Sequence, residues 1–276
     1  MTARLFYHGT TGMKRTIAML ALGVLLLGAV HAFARNRWAQ YEREMQDPVD
    51  DPPDAGVEAE FVFARLRYPS PYDRGGYGMR RWGVDANRGE RQFFMAVRRL
   101  SSINIRSIEQ IVDIDSDDIY DFPFLYAVAA GHWLLNDEEA TRLGKFFERG
   151  GFLVVDDLHN EQEWGDFMAG IEKAMPGHAY EELPETDSIF SVVHSLDRST
   201  QISGYNIVRG SPYERGGYVP YWRAVRDSHG RIVVAAWMNQ DLGDAWEYAD
   251  HPEYPEKLAS LAFRFGVNYL VYSITH

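Results

Sequence analysis

At 276 residues, 46% of them hydrophobic and 25% charged, the chain is long enough to bury a large core. Its formal charge of −12 repels phosphate backbones, so no nucleic-acid partner is expected. Cysteine is absent, which excludes disulfides, thiolate metal ligands and a cysteine nucleophile.

The chain starts with an export signal. Lys14 and Arg15 precede the apolar run TIAMLALGVLLLGAV, and Ala32-Phe33-Ala34 has the small-x-small form of a cleavage site. A signal peptide is expected over 1–34, with translation from Met1 or Met13. The alternative is an uncleaved single-pass anchor, because Thr16 to Ala34 is just long enough to span a bilayer. Both readings put the remainder outside the cytoplasm, periplasmic or otherwise extracytoplasmic. Residues 35–58 are polar and carry Pro48, Pro52 and Pro53, which suggests a linker, and 59–276 form a single domain.

Strands and helices then alternate. EFVFARLRY (60–68) is a strand with Phe61, Phe63 and Arg65 on one face, followed by a Gly-rich loop over 69–89. Phe93, Phe94, Val97 and Leu100 recur at helical spacing over about 90–100. IEQIVDI (108–114) is a short strand, and FPFLYAVAA (122–130) has the continuous apolar character of a strand covered on both faces. Asn136 caps a helix with Asp137, Glu138 and Glu139 in its first turn; Ala140, Leu143, Phe146 and Phe147 form its buried stripe, and Gly150-Gly151 ends it. FLVVDD (152–157) returns as a parallel strand, making a βαβ unit. A helix over about 161–175 and an irregular stretch to about 200 follow. YVPYWRAVRD and RIVVAAWMN flank SHG as an antiparallel hairpin, and a helix from Pro255 to about Ser273 closes the chain. The sum is an α/β fold, a three-layer sandwich on a mainly parallel sheet with an antiparallel hairpin near the C-terminus.

Ligands of open parallel sheets sit beyond the carboxyl ends of the strands. That rule selects His132, after FPFLYAVAA, and Asp156, Asp157 and His159, after FLVV. Carboxylate and imidazole together suit a divalent metal or an acid–base pair, so these four are candidate catalytic residues, and Asp156, Asp157 and His159 candidate metal ligands. The competing reading makes Asp156 the cap of the next helix and leaves Asp157 and the histidines as loop residues. The loop at 237–254 carries Asp241, Asp244 and Glu247 with Gly243 and Trp246, which suits sugar or cation binding or, alternatively, a solvated connector with Trp246 packed inward. No G-x-S-x-G, Walker or H-E-x-x-H motif is present.

One loop is written twice, as SPYDRGGYG (70–78) and SPYERGGYV (211–219). The paired glycines permit close backbone approach, Arg74 and Arg215 offer planar cations, and Tyr77 and Tyr218 add rings with polar tips. Either both copies line one ligand-binding site or two favourable turns coincide.

The strings FVFARLRYPS, FPFLYAVAAGHWLLNDEEATRLGKFFERGGFLVVDD and WMNQDLGDAWE, with FGVNYLVYSITH at the end, resemble the domain-of-unknown-function family 4159 over about 59–276. The resemblance implies a flavodoxin-like, class I glutamine-amidotransferase-like sandwich and an address in the bacterial membrane or envelope. Enzymes of that superfamily use a Cys-His-Glu triad, which a chain without Cys does not carry. Asp187-Ser188 stands before Ile189-Phe190 where the family pattern has His-Pro. Similarity to the sugar-linked trehalose-utilisation type points to a carbohydrate ligand. Three functions stay open: an exported domain that binds a small polar ligand or envelope glycan, a metal-assisted hydrolase or lyase acting on a sugar, and a non-catalytic scaffold in an envelope membrane-protein complex.

Overall fold

The computed structural model describes residues 38–75 and 80–276, with Met19 and Gly23. The expected export segment therefore lies almost wholly outside the described residues, as do Tyr77 and the side chain of Arg74. Among the described residues no helix is long and apolar enough to cross a membrane. The chain divides into Met1–Arg43 and Glu44–His276. In the first unit residues 38–43 are helical, and Trp38 Nε1 donates to Glu42 Oε1 at 2.8 Å.

The second unit is organised by one seven-stranded sheet, ordered β2-β1-β3-β4-β7-β6-β5. Its strands are β1 (Ala64–Arg67), β2 (Gln110–Asp113), β3 (Phe124–Val128), β4 (Phe152–Leu158), β5 (Tyr180–Glu182), β6 (Tyr221–Arg226) and β7 (Ile232–Met238). The pairings among β2, β1, β3, β4 and β7 are parallel, and β6 runs antiparallel to both β7 and β5. Every residue of β3, β4 and β7 is buried, which explains their unbroken apolar runs.

The helices are α1 (Arg88–Leu100), α2 (Asp137–Glu148), α3 (Asn160–Ala174), α4 (Leu242–Glu247) and α5 (Glu256–Thr275). The crossover from β1 to β2 and that from β3 to β4 run in opposite directions along the sheet. Right-handed crossovers therefore place α1 and α2 on opposite faces. Helix α1 packs with α4 and α5, and α2 packs with α3, which completes three layers.

Local signals account for most boundaries. Asn136 caps α2 in a full capping box, accepting from the Glu138 and Glu139 amides while Glu139 Oε2 accepts from its own N–H. The first strand is shorter than its pattern: Phe61 only bridges to Ile105, and pairing begins at Ala64. Arg65 does lie inward, 1% exposed, bonded to Glu90 and to the Trp82 and Val84 carbonyls. The supposed linker is in part domain, because Glu44 accepts from Arg67 and Trp82, and Arg91 donates to the Val49 and Asp50 carbonyls. The loop at 237–254 contains α4, a short helix that no periodicity announced.

Helices α2 and α3 cross where Gly144 faces backbone. A Cβ there would clash with the Ala174 carbonyl oxygen, which cannot rotate away. Gly144→Ala should therefore lower stability by about 1–3 kcal/mol, read as a lower urea midpoint at unchanged slope. An unchanged midpoint would show that the two helices separate freely.

Candidate functional site

The carboxyl ends of β1, β3, β4 and β7 share one edge of the sheet, and the buried acids gather there. At the end of β4 the register with β7 is broken between Val155 and Leu158, and Asp157 has φ +52°. This irregularity turns two consecutive carboxylates to different partners. Asp156, fully buried, accepts from the Leu242 amide (3.1 Å), the Gly243 amide (2.6 Å) and the Tyr126 hydroxyl (2.8 Å). It thus caps α4, reached through the sheet, and not the following helix α3. Those three donors tie Asp156 to α4 and β3.

Asp157 accepts from Arg215 Nη2 at 2.7 Å and lies 3.1 Å from His159 Nε2. Arg215 Nε also donates to Glu163 Oε1 at 2.8 Å, and Glu163 Oε2 accepts from the His159 amide. His132 stands 3.5 Å from Glu163 Oε1, with its ring edge-on to Tyr72. Tyr72 and Arg215, one from each copy of the repeated loop, are so joined through His132 and Glu163. The copies nevertheless differ in conformation. The first is a 3-10 turn (Pro71–Gly75) in which Asp73 bonds Ser70, whereas in the second Glu214 and Gly217 close a bridge.

Glu214 comes within reach of two sets of ligand atoms. With Asp157 and His159 it forms one group whose donor atoms lie within 4.8 Å of one another, and with Asp241 and Asp244 it forms another. A Cβ on Gly204 would collide with Glu214 Oε1, Asp241 Oδ2 and Asp244 Oδ2, so only glycine leaves these three oxygens room to converge. Glu214 Oε1 and His159 Nδ1 are buried without hydrogen-bond partners among the described residues.

The charges divide unevenly. Burial pushes the Asp157 carboxyl up, but the Arg215 guanidinium and the His159 ring outweigh it and hold it at about 2. Burial raises Asp156 to about 6 and Glu247 to about 7, in the latter case helped by Asp244. Burial and neighbouring carboxylates raise Glu214, Asp241 and Asp244, and lift Asp85 well above its ordinary value. Burial lowers His132.

Of the residues singled out from sequence, Asp157, His159, Arg215, Asp241 and Asp244 come together, and His132 adjoins them. Trp246 does not present a ring to solvent: it is 1% exposed and stacks on Phe93 at 4.4 Å, because α4 turns it into the core. Tyr218 is exposed and packs edge-on against Tyr213, away from the carboxylates' ligand set. Asp187 caps a 3-10 turn and pairs with Arg226. Sequence reasoning missed Asp85 and Glu163 and treated Glu214 only as part of a repeat. For Glu214 a signal existed, since it is the acidic residue of the repeated loop. A cleft of about 340 Å³ opens beside His132, lined by Tyr72, Trp133, Asp166 and Lys173 among others.

The chain matches the model of DUF4159, a domain of unknown function, over residues 62–274, and it belongs to that family. No curated protein matches it.

Two predictions follow from the charge distribution. Arg215 is the cation shared by Asp157 and Glu163, and its side chain is 32% exposed. Arg215→Met should cost about 2–3 kcal/mol, less than a fully enclosed pair, measured by chemical unfolding. A loss below about 0.5 kcal/mol would mean that solvent already compensates the two acids. The raised carboxyls give the second. A folded chain with Asp156 at about 6 and Glu247 at about 7 retains protons that the unfolded chain, at 3.8 and 4.5, has released. Their contribution is complete below about pH 4 and is lost as pH rises through 6 to 7. Asp157 acts in the opposite sense but only below 3.8. Metal-free protein should melt higher at pH 5 than at pH 7.5, and Glu247→Gln should shrink that gap by a few degrees. A wild type that melts equally at both would contradict the charge assignment.

Proposed function

We propose that this member of the DUF4159 family binds a divalent cation through Asp157, His159 and Glu214 and uses it as a metal-assisted hydrolase or lyase on a small polar substrate. The observation that carries the reading is the convergence of two carboxylates and an imidazole within 4.8 Å, at the edge where open parallel sheets bind ligands. A cation there would join Arg215, which already reaches Asp157 and Glu214, in balancing these acids and would lower the pKa of a bound water. Arg215 holds Asp157 ionised, and a cation would likewise favour the ionised form of Glu214, which burial otherwise pushes up. The cleft beside His132 would receive the substrate, and its polar and aromatic lining, together with the export signal expected from the sequence, favours an envelope glycan.

The strand order supports a flavodoxin-like placement, since β2-β1-β3-β4 followed by a parallel fifth strand repeats that order, with β7 in the fifth position. Beyond β3 the chain turns sharply at Ala129, φ +52°, into a short helical turn. Such a strand-to-helix elbow is where a nucleophile would stand, and alanine supplies none. This favours attack by water over a covalent intermediate.

A second reading needs no metal. Asp157 orients His159 through Nε2 and leaves Nδ1 without a partner, so the pair would act as a general base on water. Pure ligand binding keeps the exposed Tyr72, Tyr213 and Tyr218 rings in its favour but loses Trp246, and Arg215 is already engaged.

Melting of the metal-stripped full chain with and without Mn²⁺ or Zn²⁺ tests the cation reading. At a hundredfold excess over Kd, binding adds about 2.7 kcal/mol, equivalent to roughly 5–10 °C. His159→Ala should abolish the part of the shift due to this site. A shift that His159→Ala leaves intact would remove His159 as a ligand, and the general-base reading would take its place.

A further inference from the structure

Behind the proposed centre, towards α1, lies another set of carboxylates. Asp85, from the connection after β1, meets Asp244 and Glu247 of α4 with ligand oxygens within 4.8 Å of one another. Asp85 is 1% exposed and Glu247 2%, and each retains one buried oxygen, Oδ2 and Oε2, with no hydrogen-bond donor among the described residues. Asp244 accepts from the Tyr205 amide at 2.6 Å. The nearby arginines are committed elsewhere: Arg65 to Glu90 and two carbonyls, Arg88 to Asp250. The backbone is cut to fit the acids. A Cβ on Gly243 would clash with Asp85 Oδ2, and one on Gly89 would touch the Cβ atoms of Asp85 and Glu247 at 3.6 and 3.8 Å.

We propose that Asp85, Asp244 and Glu247 form a second, buried cation site, distinct from Asp157–His159–Glu214 and selective for a hard divalent ion such as Mg²⁺, Mn²⁺ or Ca²⁺. The donor set is entirely carboxylate oxygen, which suits those ions and disfavours Zn²⁺ or Cu²⁺. Two buried acids beside a half-buried third are costly as free anions, and a buried oxygen without a donor adds to that cost. A cation satisfies both demands at once. Asp244 and Glu214 each also belong to the set with Asp241, so a chain of carboxylates connects the two centres. That arrangement would set two ions side by side at the sheet edge.

The test uses the full chain, stripped with EDTA and titrated with Mn²⁺ while bound ion is counted by electron paramagnetic resonance. Wild type should bind two equivalents, His159→Ala one, and Glu247→Gln one. Even an outer partner of a metal site is worth tenfold or more, so loss of a direct ligand should weaken the affected equivalent at least about tenfold. Asp85→Asn is the second variant, in case Glu247→Gln does not fold. Ca²⁺ should compete for the equivalent that Glu247→Gln loses. If Glu247→Gln and Asp85→Asn bind as the wild type does, the site does not exist and the three carboxyls share protons instead. The two sites fail separately. Loss of an equivalent in Glu247→Gln but none in His159→Ala leaves this inference standing and overturns only the histidine centre.

Discussion

Three donors converge on one carboxylate that solvent never reaches. The amides of Leu242 and Gly243 and the hydroxyl of Tyr126 all donate to Asp156, and through them the end of β4 holds the start of α4. A six-residue helix has too few internal bonds to persist alone, so α4 depends on this cap and on what it buries. Trp246 supplies the burial, stacked on Phe93 and set edge-on to Trp237. Once α4 is fixed, Asp241, Asp244 and Glu247 have no choice of direction. The placement of these three acids rests on the start of α4, held by Asp156 and by Asp241, the helix's own N-cap.

Cations are scarce along that edge. Arg215 compensates Asp157 and Glu163, reaching both with separate nitrogens, and Arg65 is spent on Glu90. Arg215 Nη1 also lies 3.6 Å from Glu214 Oε2, and beyond that ion pair a row of carboxyls runs through Asp241 and Asp244 to Asp85 and Glu247. A purely structural core is filled as well or better by apolar groups, since buried charge is rarely the most stable filling. The gathering of these acids at the edge where this class of sheet binds ligands is the physical reason for reading them as a site.

The repeated loop shows how composition and conformation part ways. Seven shared residue types in nine positions produce a 3-10 turn in one place and a bridged turn with Arg215 and Gly216 at positive φ in the other. The neighbours decide. Asp73 finds Ser70 and Arg80 close by, whereas Glu214 is drawn over the sheet edge beside Gly204. Both copies border the same edge, yet Tyr72 contacts His132 while Arg215 serves Asp157, so their contributions are not equivalent.

The sequence by itself determined the layers. Apolar runs marked β3, β4 and β7, the Asn136 box marked α2, and the alternation of strand and helix implied a parallel sheet, because those features are local and each records its own burial. Carboxyl-end logic was enough to select Asp157 and His159. Tertiary structure alone decided the rest. Asp85 and Glu214 stand far from β4's carboxylates in sequence, and no period or spacing relates them; they meet because the strand order brings the ends of β1, β3, β4 and β7 to one edge. The same cause turned Trp246 inward and gave Asp156 a helix to cap that begins 86 residues later along the chain. Periodicity reports which side of an element faces the core, but the partners of a buried charge are set by topology, which periodicity does not encode.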